Sequence, residues 1–279
     1  MKYTQPSTLQ YFINDISSRN VCRFRYVLLF CSIILLGPVS GVLQADEEAD
    51  ETPLVQKLIE QYQSIESVSC DVRRDVTTPE GTIRWLSRVY FQADNKLHAA
   101  NARPQPRLIL ADGETMYQHS ADEPRGFRRA IEDLNQNMRI NLSRVPGTLM
   151  DHLLRLTDAP ETVLDASEDA PIRRAYEAEH VYAILEADEK YRLRRVLFYQ
   201  SQDRTNRTAE IVCDAFEEVL PDTWIAMQHR SSFYIEDTTI RERTRFTNYE
   251  VNLSIPEEKF RAEAHFSSDI EWVDSFDQL

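Results

Sequence analysis

The sequence contains little glycine and has a deficit of positive charge. Only six glycines occur in 279 residues, and none belongs to a GxGxxG or GxxxxGK[ST] motif. Since those motifs supply the backbone that surrounds bound phosphates, we expect neither dinucleotide binding nor P-loop chemistry. Lys and Arg number 32 against 46 Asp and Glu, a net charge of −14. A sequence-independent nucleic-acid binder needs many cations to displace phosphate counterions, so no nucleic-acid partner is expected.

Cysteine is also scarce, with four in the chain. Two of these, Cys70 and Cys213, lie outside the N-terminal segment described below. The sequence has no CxxC, which argues against thioredoxin-like redox chemistry and against a cysteine-based zinc site. In an oxidising compartment the two thiols can form a disulfide. The alternative is two small buried core residues, because both lie in strand-like apolar runs.

Motifs for catalysis are missing as well. The six histidines are scattered without an HExxH pair, and there is no GxSxG nucleophile motif. Adjacent acids such as Glu217-Glu218 are expected on a solvated surface in so acidic a chain. We therefore predict that the protein is not an enzyme and uses neither a cofactor nor a metal. A hydrolase, the remaining enzymatic hypothesis, needs clustered polar residues in a cleft.

Residues 1–45 differ from the rest of the chain. The apolar run Val27–Leu36 follows three arginines and ends at Gly37-Pro38, and a small residue, Ala45, precedes the first acids. This order is typical of a secretory signal peptide, although an uncleaved membrane anchor is the alternative. The prediction is a leader over 1–45 and a single exported domain over 46–279.

The exported part begins with a helix and continues as strands. Apolar residues recur with a period near 3.6 from Leu54 to Ile65, after Thr52-Pro53, which resembles an N-cap followed by proline at the first helical position. The period then changes to two over Val68–Val76 and Ile83–Phe91. Further alternating runs fill the second half of the chain. Short turns between consecutive strands predict one antiparallel sheet, which must twist and curl at this strand count.

Together these elements resemble the periplasmic lipoprotein-carrier superfamily of LolA, LolB and RseB-type proteins. The segment Leu108–Tyr117 (LILADGETMY) is similar to the family's hairpin of an apolar strand, an Asp-Gly turn, a threonine and aromatics. Asn252–Phe260 (NLSIPEEKF) is similar to the common ending of these domains. The resemblance covers about residues 54–260.

The resemblance implies a mainly β (α+β) fold. A strongly curved antiparallel sheet would form a half-open barrel, with an N-terminal helix and a mid-chain helical lid. Its concave face would hold acyl chains, since each buried CH₂ contributes about 0.8 kcal/mol. Ordinary core packing explains the same apolar residues. The residues expected near the cavity are Trp85, Phe91, Leu97, Leu108, Leu110 and Tyr117 in the sheet and Leu149, Met150, Leu153 and Leu154 in the lid.

The implied function is that of a non-catalytic periplasmic carrier or binder of lipidated or amphiphilic ligands in a diderm bacterium. Its partners would be lipoprotein acyl chains or another lipid, together with handover proteins of the inner and outer membranes. In the family, an Arg-Pro pair commonly follows the second strand and its arginine latches the lid. This sequence has Ala93-Asp94 at that place. The departure favours a related lipid binder, or an envelope sensor that uses the same cavity. The alternative function is an envelope sensor or protein-interaction module with the same fold and without lipid transport.

Overall fold

One continuous sheet dominates the computed structural model, which describes residues 52–178, 181–200, 203–235 and 237–279. The predicted leader and its boundary with the exported domain lie outside these residues. The strands are β1 Ser67–Thr78, β2 Gly81–Gln92, β3 Lys96–Arg103, β4 Arg107–Asp112, β5 Thr115–Ser120, β6 Arg125–Ala130, β7 Glu161–Val163, β8 Ile172–Ala178, β9 Val181–Ala187, β10 Leu193–Gln200, β11 Asp203–Leu220, β12 Thr223–Ile235, β13 Thr238–Val251 and β14 Glu271–Val273.

Helices are few and short in the described part of the chain. The α-helices are α1 Leu54–Gln63, α2 Gln136–Leu142 and α3 Met150–Leu153. Single 3-10 turns occupy Ile131–Asp133, Glu257–Phe260, Ala262–Ala264 and Phe276–Gln278. The predicted apolar stripe after Pro146-Gly147 is helical only over α3, and α2 was not anticipated from the sequence.

The strand order is β14-β6-β5-β4-β3-β2-β1-β13-β12-β11-β10-β9-β8-β7. Neighbours pair antiparallel, except that β14 runs parallel to β6. Because β1 pairs with both β2 and β13, the two halves of the chain join at the middle of the sheet. The sheet is curved and unclosed. This confirms the predicted mainly β fold with a half-open, curved antiparallel sheet.

The helix α1 buries one apolar stripe, as its sequence period predicts. Its N-cap differs from the prediction. The helix begins at Leu54 and its N-cap is Pro53, so Thr52 lies one residue before the N-cap position. The Leu54 N–H instead donates to Glu161 Oε2 of β7, at 2.8 Å. A carboxylate suits the positive end of the helix dipole. The buried residues of α1 are Leu54, Val55, Leu58, Ile59 and Tyr62.

Two apolar clusters lie on one side of the sheet. The larger joins α1 and α3 to β1, β2 and β8–β13. The smaller joins β4–β6 to the chain around α2, and Leu97 of β3 packs against both. We call the side that carries Val68 and Cys70 the helix face, because α1 covers it, and the opposite side the outer face. Away from the β-bulges, register assigns each strand residue to one of the two faces, since side chains alternate along a strand.

Removing a side chain from the contact between α1 and the helix face should destabilise the fold strongly. Leu58 is 0% exposed, and Leu→Ala at such a site costs about 2–5 kcal/mol through lost burial and an unfilled cavity. The matched control Leu154→Ala, at a residue 37% exposed, should cost no more than about 0.5 kcal/mol. Urea unfolding measures both. Equal losses in the two variants would contradict the placement of α1.

Candidate functional site

The helix face is apolar where β1, β2 and β3 lie nearest the helices. Val68 and Cys70 of β1 lie opposite Phe91 and Val89 of β2. Phe91 lies in turn opposite Leu97 of β3. The first four of these side chains are buried under the helices. Antiparallel register therefore aligns the apolar positions of three strands into one surface.

The helices leave part of this face accessible. Between the two apolar clusters lies a strip of side chains that are only half-buried, which we call the apolar strip. It continues from the edge of the buried core toward the β1–β2 turn, where the hydrogen-bonded pair Ser87 and Asn101 lies between Trp85 and the members on β3 and β4. Its members are Val72, Trp85, Leu97, Ala99 and Ile109. An apolar surface of this shape, bordered by covered core on both sides, is suited to holding a hydrocarbon chain.

Polar contacts fasten the first turn of α1 to the sheet edge. The Val55 N–H donates to the Tyr176 hydroxyl at 3.1 Å, and that hydroxyl donates to Glu161. Arg174 Nε lies 3.2 Å from Glu161 Oε1. Glu161 therefore accepts from the helix, from Tyr176 and from Arg174. Burial, and next the bond to Glu161, raise the pKa of Tyr176.

The mid-chain segment that we call the lid, residues 145–156, is fastened at its start. The Tyr249 hydroxyl of β13 donates to the Pro146 carbonyl at 2.5 Å. Gly147 follows with φ +85°, and a Cβ there would lie 2.8 Å from Ile225 Cγ2. Only glycine combines this left-handed conformation with so close an approach. The buried lid residues then pack on the helix face: Val145, Leu149, Met150, Leu153 and Leu156.

Polar groups lie beneath the lid. His229 of β12 is buried, bonds to the Gly147 backbone, and has an Nε2 atom with no hydrogen-bond partner among the described residues. Burial and next the positive charge of Arg144 lower the pKa of His229 to about 4. Asp151 Oδ1 lies 3.6 Å from Arg144 Nη1. Burial raises the pKa of Asp151, but the charges of Arg144, His152 and Arg155 outweigh it and leave that pKa lowered.

Both cysteines beyond the leader lie on the helix face as free, buried thiols. Cys213 of β11 is opposite His229 of β12, and Cys70 belongs to β1. Burial raises the pKa of each thiol to about 12. Since the thiolate is the nucleophile, neither group is set up for covalent chemistry. In the structure the two cysteines are therefore buried core residues and form no disulfide.

The structure brings together only part of the predicted cavity set. Phe91, buried, and Leu97 and Trp85, half-buried, lie on the helix face. Among the expected lid residues, Leu149, Met150 and Leu153 are buried against that face. Leu154 is 37% exposed and points away from the core. Whether these residues bind a ligand stays a prediction.

Three predicted sheet residues lie on the outer face instead. Leu110 is opposite His98 and Tyr117, and His98 is opposite Tyr90, which shares its face with Ser69 rather than with Cys70. Leu108 lies two residues before Leu110 in β4 and is therefore on the same face. This separates Leu108, Leu110 and Tyr117 from the helix face, because strand alternation decides the side and their apolar character does not.

The C-terminal segment covers that part of the outer face. Tyr117 lies 5.8 Å from Phe266 and 5.5 Å from Trp272 between ring centroids, and Phe260 is buried. Gly126 of β6 lets Trp272 approach, since a Cβ there would lie 2.6 Å from its ring. Sequence reasoning missed this cover. The available signal was the run of aromatics after Pro256.

The position of the family's latch holds a turn. Ala93-Asp94 lies between β2 and β3, where Asp94 and Asn95 have φ of 66° and 62°. Two successive left-handed residues are what a tight hairpin needs. The lid is fastened from β13 by Tyr249 and from β12 by His229, which sequence reasoning also missed.

Two pockets open at the surface. One of about 510 Å³ lies where α1 meets the β11–β12 turn, between Lys57, Gln61, Tyr191 and Pro221. The other, of about 460 Å³, is lined by polar groups of β5 and β6, among them Arg128.

The described residues contain no group of three His, Cys, Asp or Glu placed to hold a metal. Within the same residues, no helix has the length and apolar character to span a membrane.

The fold is one unclosed, curved sheet with an N-terminal helix and a lid on one apolar face. Solved structures agree at the level of the fold. A LolA superfamily protein from Nitrosomonas europaea aligns with 75% of this chain and 98% of its own, at 11% identity and a TM-score of 0.51. A domain named for outer-membrane lipoprotein sorting, from Vibrio parahaemolyticus, covers 75% and 95% at 10% identity and a TM-score of 0.52.

A DUF1329 family protein from Desulfovibrio piger aligns similarly, over 76% of this chain and 95% of its own, at 13% identity and a TM-score of 0.50. No protein-family model and no curated protein matches the sequence. The chain therefore has a LolA-like fold, as the sequence resemblance predicts. At such low identity the likeness extends to the fold alone.

Removing the Tyr249 hydroxyl should loosen the lid. In Tyr249→Phe the Pro146 carbonyl loses a buried partner, which costs about 1 kcal/mol and should raise the population of the open lid about fivefold. Hydrogen exchange at the Thr148 and Leu153 amides should accelerate by that factor. Tyr234→Phe, whose hydroxyl donates to Glu210 on the outer face, is the control. Unchanged exchange in Tyr249→Phe would show that the bond does not hold the lid.

Acid should destabilise the fold through His229. Its folded pKa of about 4 lies below the ordinary value near 6.5, so the unfolded chain binds a proton more readily between these values. Stability from this group is complete above pH 6.5 and is lost progressively toward pH 4. The loss amounts to about 3 kcal/mol. Chemical unfolding at pH 7 and pH 4 should show a smaller loss for His229→Gln than for the wild type, and equal losses would refute this.

Proposed function

We propose that this protein is a non-catalytic binder or carrier of lipidated or amphiphilic ligands, with acyl chains held on the helix face. The observation that carries the proposal is the apolar strip. In this strip, Val72, Leu97 and Ile109 are half-buried between two covered clusters. Solvent-accessible apolar surface of this kind marks an interaction site more often than a packing fault. A hydrocarbon chain laid along it would extend the existing core.

Energetics favour a reversible exchange between lid and ligand. A chain that buries ten CH₂ groups gains about 8 kcal/mol before ordering costs. Displacing lid residues such as Leu149 and Leu153 costs about 1.5–3 kcal/mol for each buried side chain. The lid's polar attachments cost about 1 kcal/mol each. The free energy gained by burying the chain is similar to the free energy lost on displacing the lid. A modest change in conditions would therefore suffice to load or release the ligand.

The proposal includes an exported location. A leader over residues 1–45, cleaved or retained, would deliver the domain to the cell envelope. There, proteins of the inner and outer membranes would donate and accept the lipidated cargo. The support is the sequence pattern of the leader and the name of one fold neighbour, which refers to lipoprotein sorting.

A second function, an envelope sensor or protein-interaction module, is favoured by one observation. Beneath α1 the helix face is filled by the protein's own side chains, and Leu58, Val68 and Leu185 are 0% exposed. Such a module would recognise a protein through its surface and would take up no lipid. The two functions differ in whether a hydrocarbon chain reaches the helix face.

Photo-cross-linking with a diazirine derivative of palmitic acid tests this difference. We expect adducts on β1–β4 residues of the helix face, and competition by unlabelled palmitate. Ala99 and Ala100 give a matched pair, because they are adjacent in β3, half-buried, and on opposite faces. A carboxylate inside an acyl site is costly. Ala99→Asp should therefore reduce labelling at least about tenfold, whereas Ala100→Asp should leave it unchanged.

Either of two results would reject acyl binding on the helix face. One is labelling confined to the outer face; the other is labelling that Ala99→Asp and Ala100→Asp reduce equally. Absence of adducts from a correctly folded protein, checked by its unfolding transition, would favour the interaction module.

A further inference from the structure

The outer face carries a concentration of arginines at the centre of the sheet. Strand alternation places them side by side on β1, β2, β12 and β13. We call this set the arginine cluster: Arg73, Arg84, Arg230, Arg241, Arg243 and Arg245. The acids that pair with it there are two, Asp75 and Asp214. A chain with a net charge of −14 thus presents one locally basic surface.

The register sets like charges against each other. Arg73 is directly opposite Arg245 across β1 and β13, and Arg230 is directly opposite Arg243 across β12 and β13. Like charges at directly opposed positions destabilise an antiparallel pair by several tenths of a kcal/mol. The pairing of these strands therefore gains nothing from the directly opposed arginines.

Carboxylates pair with the arginines on both flanks of the cluster but not with those at its centre, on β13. Asp75 lies 3.0 Å from Arg73 and 2.7 Å from Arg84. Asp214 lies 2.7 Å from Arg230. Although Arg243 is opposite Asp75 in register, the Asp75 carboxylate bonds to the other two arginines.

The three arginines of β13 belong to no ion pair within the described residues. Arg243 and Arg245 both donate to one neutral acceptor, Gln228 Oε1, with nitrogen–oxygen distances of 2.7 Å and 3.2 Å. Arg241 and Arg243 are exposed, and Arg245 is half-buried. Guanidinium groups have five N–H donors each, so most of these donors have no acceptor among the described residues.

We propose that the arginine cluster is a docking surface for an acidic polypeptide segment in an extended conformation. Arg241, Arg243 and Arg245 occupy alternate positions of one strand, about 6.8 Å apart. An extended partner with acidic residues at alternate positions presents carboxylates at the same spacing. Each carboxylate can then accept two parallel bonds from a guanidinium, the geometry that arginine favours.

The charge of the whole molecule favours a polypeptide segment over a membrane or a nucleic acid. An anionic lipid surface faces the entire protein and repels its excess acids, and a nucleic acid does the same along its length. A short segment touches the cluster alone. Screening over about 8 Å at physiological salt separates it from the acids elsewhere on the surface.

The test uses a fluorescein-labelled peptide of six Glu-Thr repeats, with a Gln-Thr peptide as the neutral probe, read by fluorescence anisotropy. The wild type should bind the Glu-Thr peptide and lose affinity as salt rises. The triple variant Arg241→Gln, Arg243→Gln, Arg245→Gln should bind at least about tenfold more weakly. The matched control, Arg103→Gln, Arg139→Gln, Arg261→Gln, removes the same charge from exposed arginines elsewhere and should bind like the wild type.

Thermal unfolding gives a second readout. The two triple variants have the same net charge, so a difference between their Tm values reports the positions of the substituted arginines. Relief of the opposed arginines should raise the Tm of the β13 triple variant above that of the control triple. Equal loss of peptide binding in both triples would overturn the proposal. So would equal binding of the Gln-Thr peptide, or binding to phosphatidylglycerol vesicles without binding to the Glu-Thr peptide.

Discussion

The need to cover one apolar face of an unclosed sheet is the constraint on which the rest of the structure depends. A closed barrel would shelter its interior without help, but this sheet ends at β14 and β7 without joining. Side chains such as Val68 and Leu185, which are 0% exposed, must therefore be covered by other parts of the chain. Helix α1 and the lid supply that cover, and they leave the apolar strip partly uncovered.

How the cover is attached decides what the protein can do. The lid packs through a few apolar residues and is fastened by Tyr249 and His229, rather than by a long buried interface. Such an element can separate from the sheet at a cost that a bound hydrocarbon chain is able to offset. The outer face is built differently, since charged residues occupy it beside β13 and the C-terminal segment covers it beside β4 and β5. The two faces therefore suit two kinds of partner.

Much of the fold could be predicted from the sequence because its elements have clear periods. The change from a period of 3.6 to a period of two places α1 and β1 within a few residues. The candidate site was harder to predict from the sequence than the fold. Leu110 and Phe91 are both buried apolar strand residues, and only the pairing register shows that they lie on opposite faces. The lid's fastening joins Pro146 to Tyr249, residues whose proximity depends on how the completed sheet curves, and no local pattern encodes it.

We propose that hydrocarbon chains occupy the apolar strip on the helix face. An intermolecular NOE experiment on methyl-labelled protein with ¹³C-palmitate tests this directly. Occupation of the strip should give NOEs from the acyl methylenes to methyls of Val72, Leu97 and Ile109. NOEs to Leu108 on the outer face without any to these three, or no intermolecular NOEs from a folded protein at saturating palmitate, would contradict it.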